Sequence, residues 1–323
     1  MHENTIQLTQ TEFAKEIKEG LTAFPKYLSS KYFYDEKGDA LFQKIMALPE
    51  YYLTNCEFEI LSTYTKHLAE LFSKDDSTFS LFELGAGDGK KTKILLKYLI
   101  DNNYNFDYRP IDISSNALSQ LKSSINKEIP SVVVNPIQGT YFDTLKTIKD
   151  EQQNRKVILF LGSNIGNLLH KNAIAFLHQL RAAMHKKDLL LMGMDLKKNP
   201  QTVLDAYNDP TGVTAAFNKN ILNRINSELG AKFDVEKFKH WEVYDPETGT
   251  AKSYLVSTCK QSIFIEELET VIEFEAWETI HTEISQKYDD QTVDWLAKAS
   301  GFKVIADFCD SQSYFKNYIF QPL

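Results

Sequence analysis

Phe79-Ser-Leu-Phe-Glu-Leu-Gly-Ala-Gly-Asp-Gly89 is the stretch on which the fold turns. A short apolar run, Phe79–Leu84, stops at three glycines spaced two apart. A segment with helical patterning, Lys90–Ile100, follows. Outward from this strand, loop and helix the same grammar repeats. Tyr108–Ile113 reads as a strand with Asp112 near its end, Ser114–Ile125 as a helix opened by serines, and Val132–Ile137 as a strand. Lys156–Leu161 and Leu189–Leu196 read as strands flanking a helix at Ala173–Met184. Short apolar runs alternating with helices predict an α/β domain whose parallel sheet is covered on both faces.

The flanks follow other rules. Thr9-Gln-Thr-Glu12 fits a capping box, and Phe13, Ile17 and Leu21 then recur at helical spacing until Pro25. Further helices are expected at Ala40–Ala47 and Cys56–Phe72. Beyond Lys197 the alternation ends. Residues 200–230 look helical, most strongly at Val213–Leu222, and Trp241–Tyr244, Ser253–Ser257, Ile263–Phe264 and Val271–Phe274 read as antiparallel strands. A helix at Thr292–Ala299 and strands at Phe302–Phe308 and Tyr314–Phe320 close the chain. The expected division is therefore an α/β domain from 55–196 plus 286–323, interrupted by an α+β domain from 1–54 plus 197–285.

Composition narrows the function. The chain has 323 residues, room for two domains, with 36 basic and 44 acidic side chains and a formal charge of −8. A surplus of acids disfavours non-specific nucleic-acid binding, which needs Lys and Arg against phosphates. No apolar run approaches the roughly 20 residues of a membrane span, and MHENTIQLTQ lacks the basic and apolar segments of a secretory signal. Cys56, Cys259 and Cys309 are few and scattered, forming neither a metal-ligand cluster nor a disulfide framework. The expectation is a cytoplasmic protein, monomeric, with reduced thiols, no metal, and no membrane or nucleic-acid partner.

The loop Glu83-Leu84-Gly85-Ala86-Gly87-Asp88-Gly89 lets the backbone turn sharply and approach a ligand closely. A dinucleotide fingerprint needs glycine three residues after Gly87, and Lys90 stands there, which disfavours nicotinamide chemistry. The run ExGxGxG resembles instead motif I of class I S-adenosylmethionine (SAM) methyltransferases. Asp112, one βα unit further on, is placed to accept from ribose hydroxyls, and Gly139-Thr140-Tyr141 follows the third strand, where such enzymes contact adenine. The glycines also serve as a plain tight turn and Asp112 as a helix cap. In this order, on a βαβ pattern, the three together point to a nucleoside-type cofactor.

Two further stretches can hold a substrate. Gly162-Ser-Asn-Ile-Gly-Asn167 follows the fourth strand, at the sheet edge where open parallel sheets bind ligands, and Asn167 can donate and accept there or simply cap the next helix. Thr279–Ser285, if extended, puts Ile280 and Ile284 on one face and His281, Glu283 and Ser285 on the other. A carboxylate and a hydroxyl two residues apart can grip a cationic or N–H-bearing group, or form a solvated strand face. Among 16 tyrosines, Tyr34, Tyr51, Tyr52 and Tyr207 lie in polar or turn-rich contexts.

Taken together, Tyr32–Gly38 (YFYDEKG), Leu48–Thr54 (LPEYYLT), Glu83–Gly87, Gly162–Asn167, Ala206–Asn218 (AYNDPTGVTAAFN) and Ile280–Ser285 occur in an order that resembles the histidine Nα-methyltransferases of ergothioneine biosynthesis. The similarity runs from about residue 20 to the C-terminus. It implies a Rossmann-like class I methyltransferase domain and a second, substrate-binding domain. It also implies SAM as donor, S-adenosylhomocysteine as product, and three methylations of the α-amine of L-histidine to give hercynine. By the same resemblance SAM contacts fall on Gly85, Lys91, Asp112 and Gly162, and the glycine loop and the segment after the third strand add Gly87, Thr140 and Tyr141 as cofactor-binding candidates. Substrate contacts fall on Tyr34, Tyr51, Asn167, Tyr207, Glu283 and Ser285. Asn167 and Tyr207 would hold the α-carboxylate, and Tyr34 would lie by the amine in the catalytic position. Tyr51, Glu283 and Ser285 would hold the imidazole. Two positions depart from the family: Thr140 replaces an aspartate, and Ser253 a methionine beside the imidazole. The rival expectations are an N-methyltransferase of the same fold acting on another amine, such as a tryptophan derivative, and a SAM-binding protein without catalysis.

Overall fold

The computed structural model describes residues 11–74, 78–151 and 154–323, and every side chain among them but those of Tyr141 and Phe142. These residues pack as two units: the chain up to Tyr51 with Asn199–Ser285, and Tyr52–Lys198 with Gln286–Leu323.

The first unit opens with α1 (Glu12–Thr22), β1 (Lys26–Tyr27) and α2 (Glu36–Met46). Thr11 caps α1, its hydroxyl accepting from the Ala14 amide at 3.2 Å. Glu12 is thus the first helical residue, and Thr9, expected to cap it, lies outside the described residues. Helix α2 begins four residues before the expected start because Asp35 caps it, accepting from the Gly38 amide at 2.7 Å. Glycine is required at 38, since a Cβ there would sit 1.7 Å from the Phe33 carbonyl oxygen.

The chain then builds the second unit with α3 (Tyr52–Phe72), β2 (Thr78–Leu84), α4 (Thr92–Asp101), β3 (Asn105–Asp112), α5 (Ser115–Glu128), β4 (Ile137–Gln138), α6 (Tyr141–Asp150), β5 (Arg155–Phe160), α7 (His170–Ala182) and β6 (Leu189–Asp195). It returns to the first for α8 (Pro200–Tyr207), α9 (Val213–Leu229), β7 (Phe238–Asp245), β8 (Thr250–Ser257), β9 (Gln261–Ile265), β10 (Thr270–Phe274) and β11 (Thr279–Gln286). It ends in the second with α10 (Asp290–Ala299), β12 (Phe302–Cys309) and β13 (Phe315–Pro322).

In the second unit the sheet order is β12-β13-β6-β5-β2-β3-β4. The strands from β6 to β4 are parallel, and β13 runs antiparallel to both its neighbours. This is a Rossmann-like α/β sheet with a reversed strand near one edge. Its apolar runs are continuous because both faces are buried. Along β5, Val157 and Leu159 join one core with Leu68 and Leu95, while Ile158 and Phe160 join the other with Phe176 and Leu296. Strand order reverses between β2 and β5, so the loops after these strands flank the topological switch point where such sheets bind ligands.

Two expectations fail here. The strand expected at Val132–Ile137 shrinks to Ile137–Gln138, preceded by a single bridge from Val134 to Tyr108. Pro136 has no N–H to continue the ladder. Helix α6 was not expected; Thr140 starts it with a capping box to Asp143.

The first unit is α+β. Its sheet runs β1-β11-β8-β7, with β1 parallel to β11 and β8 antiparallel to β7, and β9–β10 form a separate hairpin. Phe13, Ile17 and Leu21 of α1 bury against Phe217, Ile221 and Ile225 of α9 and Phe238, Leu255 and Ile280 of the sheet. No helix among the described residues is long and apolar enough to cross a membrane.

Candidate active site

The second unit concentrates polar chemistry at the ends of β2, β3 and β5. Gly85, Gly87 and Gly89 all have positive φ (71°, 52° and 64°), a geometry that side chains other than glycine rarely adopt. The Gly85 amide donates to the Ile111 carbonyl at 2.8 Å, tying the loop to β3. A Cβ at Gly87 would meet nothing within 4 Å, so the loop leaves open space beside it. The Asp112 carboxylate accepts from the Gly87 amide at 3.3 Å and the Ser114 amide at 3.0 Å. These two bonds leave acceptor sites on both oxygens for ribose hydroxyls. Open space at Gly87 beside a carboxylate with spare acceptors fits the nucleoside of SAM.

Glu83, just before the loop, is buried and accepts hydrogen bonds from the Thr92 hydroxyl at 2.6 Å and from the Tyr108 hydroxyl. Burial pushes its carboxyl up to about 7, against the lowering effect of those two donors. Because the folded value lies above the unfolded one, the stabilising contribution is full below the unfolded value of 4.5 and is lost as pH rises through 7. The stability advantage of Glu83→Gln over the native chain is expected to grow by roughly 2 kcal/mol between pH 5 and pH 8. Denaturant titrations at both pH values check this, and a difference that does not change with pH refutes it.

Lys91 pairs with Glu57 of α3, a fully buried carboxylate that also accepts from the Gly162 amide at 2.8 Å. A Cβ at Gly162 would lie 3.6 Å from the Lys91 ammonium. Lys91 and Gly162, expected on one ligand, are thus joined by an acid that no motif marked. Oxygen Oε1 of Glu57 is buried, with no hydrogen-bond partner among the described residues. The Thr140 hydroxyl donates to Asp143 at 2.7 Å and accepts from the Asp143 amide at 3.2 Å, capping α6. The T-x-x-D spacing was the available signal. Tyr141 opens α6, and its side chain lies outside those described. Asn167 ends a short 3₁₀ turn and is exposed.

The first unit gathers the remaining expected residues. The Tyr34 ring meets Phe42 and Phe217, each at 5.6 Å between centroids. Phe42 meets Tyr51, and Tyr51 meets Tyr207, both at 6.3 Å. Tyr207 and Ser285 share a hydroxyl–hydroxyl hydrogen bond of 2.7 Å. Glu283 stands two residues from Ser285 on β11 and is half-buried. Tyr34 follows the Tyr32-Phe33 pair, and its neighbour Asp35 accepts from Asn220 of α9 at 2.8 Å, so α9 braces this segment. The Ser253 hydroxyl donates to buried Glu242 at 2.6 Å, which makes that strand pair polar.

A glycine loop at the switch point of a seven-stranded sheet with a reversed strand, followed by a carboxylate at the end of the next strand, defines a class I SAM-dependent methyltransferase. Comparison with known proteins narrows this. The chain belongs to the family of histidine-specific, SAM-dependent methyltransferases, whose profile matches residues 13–322. It is 35% identical over 301 residues to a histidine N-alpha-methyltransferase of Mycobacterium tuberculosis, covering 93% of this chain and 92% of that one. It is 34% identical over 279 residues to the protein of the same name from Mycolicibacterium smegmatis, covering 86% and 85%. An L-tryptophan methyltransferase of Psilocybe serbica is 26% identical over 322 residues, covering 93% and 90%. The protein is therefore an enzyme that uses SAM.

Proposed function

We propose that the enzyme trimethylates the α-amino group of L-histidine to hercynine, the reaction that opens an ergothioneine-type pathway. The contact chain Tyr34–Phe42–Tyr51–Tyr207–Ser285, with Glu283 beside its end, carries the reading. It offers hydroxyls and one carboxylate on an aromatic wall, which suits a zwitterion with an N–H-bearing ring. The similarity to histidine N-alpha-methyltransferases supports the same substrate.

In this reading SAM supplies an electrophilic methyl on a sulfonium leaving group. Gly85, Gly87, Lys91, Asp112 and Gly162 hold it. In the first unit Tyr207 orients the α-carboxylate and Tyr51, Glu283 and Ser285 hold the imidazole; Asn167 is the candidate of the second unit for the α-carboxylate. Tyr34 orients the amine so that its lone pair lies in line with the transferring carbon at about 3–3.5 Å. Each transfer requires a neutral amine, so a proton leaves to water beforehand; no dedicated base is needed on the chain. The trimethylated α-nitrogen has no N–H to donate, and the Tyr34 ring face accommodates its cation.

The related L-tryptophan methyltransferase favours a second reading, because the polar Ser253–Glu242 pair also suits an indole N–H. Incubation with SAM and the twenty amino acids, read by mass spectrometry, separates them. Histidine carrying up to three added methyl groups is expected. Methylated tryptophan alone replaces the histidine assignment, and no methylated amino acid leaves a SAM-binding protein of other function.

A further inference from the structure

The AYNDPTGVTAAFN segment contributes only Tyr207 to the proposed site, yet three of its other polar residues are buried. Asp209 caps α9, accepting from the Val213 amide at 3.1 Å and the Thr214 amide at 2.7 Å. Thr214 is itself buried under that cap. Asn218 points elsewhere. Its amide nitrogen lies 2.8 Å from Nδ1 of His240 and 3.2 Å from the Tyr254 carbonyl oxygen. A carbonyl only accepts, so the atom facing it is the nitrogen, and both its hydrogens are committed: one to Tyr254, one to His240. Nδ1 of His240 is therefore the acceptor. The ring proton sits on Nε2 and is donated to the Tyr207 carbonyl at 2.9 Å.

Tyr207 is the last residue of α8, and its carbonyl is one of the helix-end acceptors with no partner along the helix. His240, 7% exposed, supplies that partner from β7. Its burial depresses the imidazolium, against the raising effect of the Tyr207 carbonyl and Asp209, with Lys219 lowering it further. The neutral ring is the form that the hydrogen-bond pattern demands.

We propose that Asn218 and His240 are positioning residues for the amino-acid substrate: they pin the end of α8 and thereby hold the Tyr207 ring and hydroxyl in register with Ser285. This rests on the reading of Tyr207 as a substrate contact.

The test uses the amide geometries of glutamine and asparagine. The terminal nitrogen of Gln occupies the place of imidazole Nε2, and that of Asn the place of Nδ1. His240→Gln keeps the donor to Tyr207, and His240→Asn loses it. Both remove a buried ring, so a purely structural role treats them alike. Folding of each variant is confirmed by its circular dichroism spectrum and a cooperative thermal unfolding transition. The Kd for histidine in the presence of S-adenosylhomocysteine is then expected to rise about tenfold or more for His240→Asn and no more than threefold for His240→Gln. Equal histidine affinities in the two variants overturn the proposal. Tyr207→Phe is the companion variant. If it leaves histidine affinity unchanged, the assignment of Tyr207 has failed; if it weakens histidine while the two His240 variants agree, the positioning role alone has failed. Nitrogen-15 NMR of the native ring gives an independent reading, the Nε2–H tautomer being expected and the Nδ1–H tautomer refuting the relay.

Discussion

Glu283→Ala is expected to weaken histidine binding about 100-fold while SAM affinity stays within about twofold. A charged hydrogen bond contributes roughly 1.5–3 kcal/mol, and each 1.4 kcal/mol is tenfold in affinity. The substitution also leaves an imidazole N–H without its acceptor, which adds a desolvation cost. Glu283 lies in the first unit, whereas Gly87, Asp112, Lys91 and Glu57 lie in the second, so the two ligands respond separately. Calorimetric titration of both against the variant decides the matter. Unchanged histidine affinity removes Glu283 from the site, and an equal loss for SAM shows general damage. In the same experiments Glu283→Gln, which keeps an acceptor but no charge, is expected to fall between the two.

Asp195→Asn is expected to lower the melting temperature by about 10 °C, a large effect for one oxygen-to-nitrogen exchange. Asp195 ends β6 with no exposed surface and binds two cations that are also buried: Lys287 at 2.8 Å, 0% exposed, and Lys198 at 2.5 Å, 4% exposed. The Tyr52 hydroxyl donates to it at 2.9 Å. Burial alone would raise its carboxyl, but the Lys287 and Lys198 ammoniums outweigh that and hold it below the usual carboxylate range. The contribution is therefore present above about pH 4 and lost only as pH falls through the depressed value. Neutralising Asp195 removes the buried counter-charge facing two buried ammoniums, which costs roughly 3–5 kcal/mol. For a unit of this size each kcal/mol is worth about 2–4 °C. Adding Lys287→Met to Asp195→Asn is expected to restore part of the loss, because it removes one of the two buried positive charges that faced Asp195. A melting temperature within 2 °C of the native value for the single variant refutes the account. Tyr52, Lys198 and Lys287 also stand next to the three points at which the chain passes from one unit to the other, so one carboxylate fastens all three within the second unit.

Much of this architecture was legible before any coordinates. The run Phe79–Leu84 with its three glycines predicted the first strand, the turn and the next helix, and strands β3, β5 and β6 began and ended within a few residues of expectation. The errors were local and have local causes. Pro136 shortened β4, a Thr140–Asp143 box started a helix that the apolar pattern had not marked, and Asp35 moved the start of α2 back. Each involves one polar or imino residue overriding an apolar pattern. Of the polar residues now seen at the candidate site, those in motifs could be named in advance. Glu57, His240 and Asn218's role could not, since their partners lie far away along the chain.

The α/β class and the glycine loop were determined by the sequence alone, because apolar periodicity and backbone turning are properties of neighbouring residues. Only the tertiary structure decided which polar groups meet. Glu57 reaches the Gly162 amide across 105 residues, Tyr207 reaches Ser285 across 78, and His240 finds the Tyr207 carbonyl from a different element altogether. A buried polar atom must be satisfied by whatever the fold brings to it, and no local pattern records which atom that will be.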